Sequence, residues 1–324
     1  MVRSDSGNGK LVLVLGATGG VGGATAKAFL AQGYRIRAIH RRAAEMAARY
    51  PAYEWVQGDA MNAAEVLAAA AGACAIVHGV NPPGYQRWGE LVLPMIDNTI
   101  AAAKAHGATI LMPGTIYNFG PDAFPVLKED SSQRPKTVKG GIRVQLEQHL
   151  EQAARNGVRV IIVRAGDFFG PDAGNNWFAQ GLVKPGKPVK SVSLPGARGI
   201  GHAWAYLPDV AQTFVRLLEK GESLPHFARF HMAGHYDADG LEMAKAIARV
   251  AGQGKVSFKP FPWWLVPLLA PVMPVFREVK EMRYLWKEPL QLDNRRLKDT
   301  LGEEPHTPLD VAVLTTLKGL RCIV

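Results

Sequence analysis

The stretch Leu11-Val12-Leu13-Val14-Leu15-Gly16-Ala17-Thr18-Gly19-Gly20-Val21-Gly22-Gly23 decides the fold. Five apolar residues in a row read as a strand buried on both faces, which points to a parallel sheet covered by helices. The glycines that follow mark a tight turn into a helix. Gly16 permits the turn, Gly19 lets the backbone approach a pyrophosphate, and Gly22 lets the helix pack closely on the strand. A helix N-terminus supplies free N–H groups and a positive dipole end, so the expected ligand is a dinucleotide. Thr18, Gly20 and Val21 belong to the same cradle.

Outward from this turn, short apolar runs alternate with helical patterns. Leu11–Leu15, Tyr34–Ile39, Tyr53–Val56, Cys74–His78, Thr109–Met112 and Val158–Val163 read as strands. Gly20–Ala31, Ala43–Arg49, Ala63–Ala70, Trp88–His106 and Val138–Arg155 read as helices. The alternation predicts an α/β fold, a Rossmann-type doubly wound parallel sheet, with right-handed crossovers. After Gly170 the rhythm breaks into a loop-rich stretch. Asp209 is then the expected N-cap of a helix over Val210–Glu219, and the chain is read to close in a charged helix around Asn294–Leu301. The expected division is a cofactor domain over 1–170, with 203–222 returning to it. Residues 171–202 and 223–324 form a smaller, interleaved C-terminal substrate lobe.

The second strand ends in His40-Arg41-Arg42, with no acid before Glu45. An acid at this point would accept from a ribose 2′-hydroxyl, whereas cations accommodate a 2′-phosphate. NADP is therefore expected rather than NAD. The 324 residues carry a net charge of +10, but the cations are spread along the chain and no nucleic-acid recognition motif accompanies them. Two cysteines, Cys74 and Cys322, make no disulfide framework, and no His/Cys/Asp set has metal-ligand spacing. With no signal-like apolar start, a cytoplasmic protein is expected. Pro262–Phe276 is apolar but shorter than the ~20 residues of a membrane span, and prolines interrupt it. It reads as lobe core, as a wall over the substrate, or as a membrane-surface contact.

The spacing Gly16, Gly19, Gly22 resembles the signature of the short-chain dehydrogenase/reductase superfamily, extended type, which includes nucleotide-sugar epimerases and dehydratases. Gly58-Asp59-Ala60 resembles its adenine-contacting turn. Ala75-Ile76-Val77-His78-Gly79 resembles its fourth strand, whose end lines the cofactor. Pro113 stands at the end of the fifth strand. Arg164-Ala165-Gly166-Asp167-Phe168-Phe169-Gly170-Pro171 resembles the segment that passes the nicotinamide. The resemblance implies that Asp59, Ala60, His78, Gly79, Pro113, Ala165, Gly166 and Asp167 face the cofactor. It also implies a homodimer.

The same resemblance implies a Ser or Thr after the fifth strand and a Tyr-x-x-x-Lys on the next helix. Thr115 matches the first. Glu147 sets the register of the second, which places Lys139 at the tyrosine position and Arg143 at the lysine position. Arginine stays protonated, with a pKa above ~12, so it binds oxygens but is a poor proton donor. Lys139 would transfer a proton only with a lowered pKa, and Tyr117 is the other candidate acid. Two readings follow. One is an NADP(H)-dependent oxidoreductase or epimerase-like enzyme acting on a carbonyl or hydroxyl carbon. Its substrate would be a small molecule, a nucleotide-sugar or an apolar carbonyl compound. The other is a non-catalytic NADP(H)-binding redox sensor or regulator. Lys184, Lys187, Lys190 and Arg198 are the candidate diphosphate contacts, or a solvated loop.

Overall fold

The structure, a computed structural model, describes residues 9–82, 87–173, 176–252 and 256–323. Most of the polar start of the chain lies outside them. The first half runs β1 (Leu11–Leu15), α1 (Gly20–Ala31), β2 (Arg35–His40), α2 (Ala43–Arg49), β3 (Glu54–Gln57), α3 (Ala63–Ala69), β4 (Ala73–His78), α4 (Trp88–His106) and β5 (Thr109–Gly114). It continues through β6 (Val126–Leu127), α5 (Val138–Arg155) and β7 (Val160–Arg164). The second half contains β8 (Asp167–Phe169), β9 (Ser191–Leu194), β10 (His202–Tyr206), α6 (Leu207–Lys220), β11 (Phe227–His231), β12 (His235–Asp237) and α7 (Glu242–Ala251). It ends with β13 (Ser257–Pro260), α8 (Leu265–Leu269), α9 (Pro274–Met282), β14 (Gln291–Leu292), α10 (Arg295–Leu301) and α11 (Leu309–Gly319).

Seven parallel strands form the main sheet in the order β11-β7-β5-β4-β1-β2-β3. The chain reverses its direction of winding between β1 and β4, and this switch point is where open α/β sheets form a ligand crevice. β1 shows why its all-apolar sequence is required. Val12 and Val14 face a core with Phe29 of α1 and Phe214 of α6. Leu11, Leu13 and Leu15 face the opposite core, with Val92 and Ile96 of α4 and Leu150 of α5. A strand with helices on both faces has no polar side, so the period-two pattern is absent.

Two strands depart from the sequence-based division. β11 falls in the stretch expected for the substrate lobe, yet it is the edge of the main sheet, paired along β7. β10 instead pairs with β8 and β12 in a separate three-stranded sheet. Asp209 is not the N-cap of α6. It is the helix's third residue, and its carboxylate accepts from the Thr307 N–H and hydroxyl, at 2.8 and 2.7 Å. The charged helix α10 is followed by α11, whose Ala312, Val313 and Leu317 pack into the lobe core against α7.

Because Leu13 is buried at the centre of the sheet, Leu13→Ala removes contacts that neighbours cannot replace. The expected loss is about 2–5 kcal/mol of stability, measured by urea unfolding.

Candidate active site

The first constraint at the switch point is backbone crowding. Gly16 has φ +85°, and a Cβ there would lie 2.6 Å from the carbonyl oxygen of Gly79 after β4. A Cβ on Gly22 would lie 2.3 Å from the Gly16 carbonyl oxygen. The Gly79 N–H donates to Leu15 O at 2.9 Å, and the Gly19 N–H donates to Gly16 O at 2.9 Å. The turn, the end of β4 and the first helical turn thus touch through backbone alone. No side chain caps the start of α1, so its first N–H groups have no side-chain acceptor. Gly20 lies under Ala173, and Lys27 of α1 pairs with Asp172 at 2.5 Å. These contacts hold the segment after β8 across the helix start.

At the end of β2, His40 Nδ1 accepts from the Arg42 N–H at 3.0 Å. Arg41 Nε lies 3.8 Å from Asp59, and Arg42 pairs with Glu45 at 3.1 Å. Both guanidinium groups are exposed. The structure therefore brings Arg41 and Asp59 together, the two groups expected around an adenosine. Ala60 is buried, and its carbonyl accepts from Asn98 at 2.9 Å. His78 points into α4 and shares a hydrogen bond of 2.8 Å with Thr99. Burial, aided by the Arg143 charge, pushes the His78 imidazole down to about 3, and it is neutral. Asp167 pairs with His202 at 2.7 Å, within the three-stranded sheet.

Beyond β4 and β5 the candidate catalytic side chains gather around Trp88, a buried residue that sequence reasoning did not single out. Lys139 Nζ lies 5.2 Å from the Trp88 ring centre, and Arg143 Cζ lies 5.1 Å from it. The Tyr117 ring lies 6.3 Å away. Thr137 caps α5 by accepting from the Gly140 N–H at 3.0 Å, which sets Lys139 in the first turn and Arg143 one turn on. Arg143 donates to Asn81 Oδ1 at 2.5 Å. Among the described residues its buried Nε has no acceptor. Its Nε–H is therefore available to a ligand oxygen.

Thr115 rests on a buried polar ring. Its hydroxyl donates to Asn118 Oδ1 at 2.5 Å. Asn118 Nδ2 donates to Glu147 at 3.0 Å, and Glu147 pairs with the fully buried Arg164. Arg164 Nε closes the ring by donating to the Thr115 carbonyl at 2.8 Å. Arg164 also donates to His231 Nε2 at 2.8 Å, which leaves the His231 proton on Nδ1, facing Leu127 O. Thr115 has one proton, and Asn118 takes it. Toward a ligand, Thr115 is therefore an acceptor in this arrangement. Glu147, which set the helix register in the sequence, also neutralises the buried Arg164 charge. Asn118 and Arg164 were not singled out as site residues in the sequence; an asparagine three residues past Thr115 and an arginine ending a buried strand were their available signals. Lys184, Lys187, Lys190 and Arg198 are exposed.

This sheet order, glycine turn and Thr/Lys/Arg arrangement define a Rossmann-type protein of the short-chain dehydrogenase/reductase kind. More narrowly, the chain belongs to the NAD dependent epimerase/dehydratase family, whose sequence model matches residues 12–233. A putative epimerase from Burkholderia cenocepacia shares the fold, with 18% identity, a TM-score of 0.72, and 97% and 98% of the two chains covered. UDP-glucuronic acid 4-epimerase from Bacillus cereus, solved with UDP-glucuronic acid and NAD, has 14% identity and a TM-score of 0.72 over 96% and 99%. UDP-glucose-4-epimerase from Stenotrophomonas maltophila, with bound NAD and formylated UDP-arabinopyranose, has 16% identity and a TM-score of 0.74 over 96% and 98%. No curated protein matches the sequence significantly.

The neutral, buried His78 has a pH consequence. Its folded pKa is depressed, so the unfolded chain takes up the proton first as pH falls below 6.5. Its stabilising contribution is complete above 6.5 and declines toward about 3. In a His78→Gln variant, chemical-denaturation stability should fall less steeply over that window than in the unaltered protein.

Proposed function

We propose that this chain is an NADP(H)-dependent oxidoreductase or epimerase-like enzyme acting on a carbonyl or hydroxyl carbon of a small molecule. The observation that carries the reading is the gathering of Tyr117, Lys139 and Arg143 around Trp88, with Thr115 just past the end of β5 and held by Asn118. When bound, the nicotinamide supplies or takes up hydride. The uncapped start of α1 and the cradle Gly16, Thr18, Gly19, Gly20, Val21 and Gly22 hold the diphosphate. Arg41 and Arg42 hold a 2′-phosphate, with His40 fixing the turn between them and the strand. Asp59 and Ala60 meet the adenine. Gly79, Pro113, Ala165 and Gly166 line the far end of the cofactor, and Asp167 anchors the exit into β8. Arg143 holds the ribose through its unpaired N–H.

Thr115 accepts from the substrate hydroxyl and fixes its direction. Tyr117 or Lys139, both set against Trp88, handles the proton. The substrate is a nucleotide-sugar or an apolar carbonyl compound, bound by the lobe built on the β8-β10-β12 sheet. The Rossmann part runs from β1 to β7 and takes in α6 and the edge strand β11. A cytoplasmic homodimer fits this assignment.

One observation favours a second reading. Arg143 is held by Asn81, and both cations lie against the buried Trp88 ring, an arrangement suited to a non-catalytic NADP(H) sensor. Turnover of a carbonyl or nucleotide-sugar panel separates the two. In an enzyme, Thr115→Val lowers kcat/KM roughly hundredfold while leaving cofactor affinity intact. An unchanged rate removes Thr115 from the mechanism, and cofactor binding without any turnover selects the sensor.

Calorimetry tests the cofactor. Two of the relatives named above were solved with NAD, whereas the Arg41/Arg42 pair favours binding of NADP over NAD by roughly tenfold or more. Arg41→Ala/Arg42→Ala should erase that preference. Equal or reversed affinities in the unaltered protein overturn it.

A further inference from the structure

The exposed apolar side chains are not spread evenly. Trp264, Leu268, Val272 and Met273 cluster on α8 and the turn into α9, and the first three are 69%, 65% and 81% exposed. The burial pattern of α8 explains how. Val266 and Ala270 face inward, while Trp264 and Leu268, four residues apart, share the outward face. Pro267, Pro271 and Val272 are exposed with them. Trp263, by contrast, turns in, donates to Pro195 O at 2.7 Å and packs on Trp177 and Phe261. One tryptophan of the pair anchors the element to the lobe, and the other stands off it.

Cations flank this element. No charged residue occurs from Pro260 to Phe276. Immediately outside lie Lys259 on β13 and Arg277, Lys280 and Arg283 on and after α9, all exposed. Arg283 sits over the Trp263 ring at 5.2 Å. Lys190 adjoins the start of β13, where its carbonyl accepts from Ser257. Glu278 and Glu281 are the acids of α9, so cations outnumber acids around the apolar tip. Among the described residues no helix is long and apolar enough to cross a membrane.

We propose that the α8–α9 element is a membrane-surface contact, inserting Trp264, Leu268, Val272 and Met273 among the headgroups of an anionic bilayer. Side chains this free of neighbours stand on a protruding turn, and a fluid bilayer accepts such a wedge without a shaped partner. A stable protein interface needs about 800 Å² per side with good complementarity, more than a handful of side chains on a turn provides. Interfacial binding needs apolar area plus cations near anionic lipid, and both are present. The chain would then lie on the surface with its lobe facing the lipid.

Co-sedimentation with phosphatidylcholine vesicles, and with phosphatidylcholine/phosphatidylglycerol vesicles, tests this on the full chain. The expected result is strong partition to the anionic vesicles, weak partition to the neutral ones, and loss of the difference in high salt, where charges are screened. Trp264→Ser/Leu268→Ser should weaken partition roughly tenfold or more, the scale of removing large apolar side chains from a buried position. The variant should keep its circular-dichroism spectrum and NADP(H) affinity. Arg277→Glu/Lys280→Glu should abolish the preference for anionic lipid. Failure to bind either vesicle overturns the proposal. So does equal binding to both, or a dimer by light scattering that the Trp264→Ser/Leu268→Ser change dissolves.

Discussion

The backbone contact among Gly16, Gly22 and Gly79 governs the arrangement of everything near the cleft. At separations below 3 Å from a hypothetical Cβ there is no room for a side chain, so β1, β4 and α1 meet at one fixed distance. That distance sets where α1 begins, and the start of α1 sets where its N–H groups point. The segment after β8 then rests on Gly20 through Ala173. Steric exclusion therefore fixes both the glycine turn and the path of the chain into the second lobe.

A second, polar constraint lies across the sheet. Arg164 is fully buried, and a buried guanidinium is tolerated only with its charge and donors satisfied. Its partners come from the loop after β5, from α5 and from β11. The same group that holds these elements together donates to the Thr115 carbonyl, while Asn118, itself donating to Glu147, accepts from the Thr115 hydroxyl. Thr115 is thus held through both its backbone and its side chain.

How much of this was legible in the sequence depends on the range of the interaction. The β1 turn is a local pattern, and the chain folds there as its spacing says. Thr115 was found by its place after the fifth strand and Lys139 and Arg143 by register from Glu147, and the structure gathers the two cations and Tyr117 around Trp88. Trp88 escaped because nothing local distinguishes it from an ordinary first-turn aromatic; its significance comes from α5, some fifty residues on. Asp209 was misread for the same reason. An acid near a helix start is an N-cap by default, but Thr307, at a separation of 98 residues, captures its carboxylate. The place of β11 in the main sheet was likewise hidden, since the chain leaves that sheet for β8, β9 and β10 before returning.

That late return has a consequence for synthesis. β7 is complete at Arg164, but the strand that covers its outer edge ends only at His231. A nascent chain emerging N-terminus first leaves this parallel edge open while the intervening residues are translated, and open apolar edges invite pairing with other chains. Arg164 closes that strand with a charge whose last partner, His231, has not yet been made. Its other partners, Thr115 and Glu147, lie upstream and are made before it, so only this bond waits for β11. One residue thus ties the late edge strand to elements made long before it.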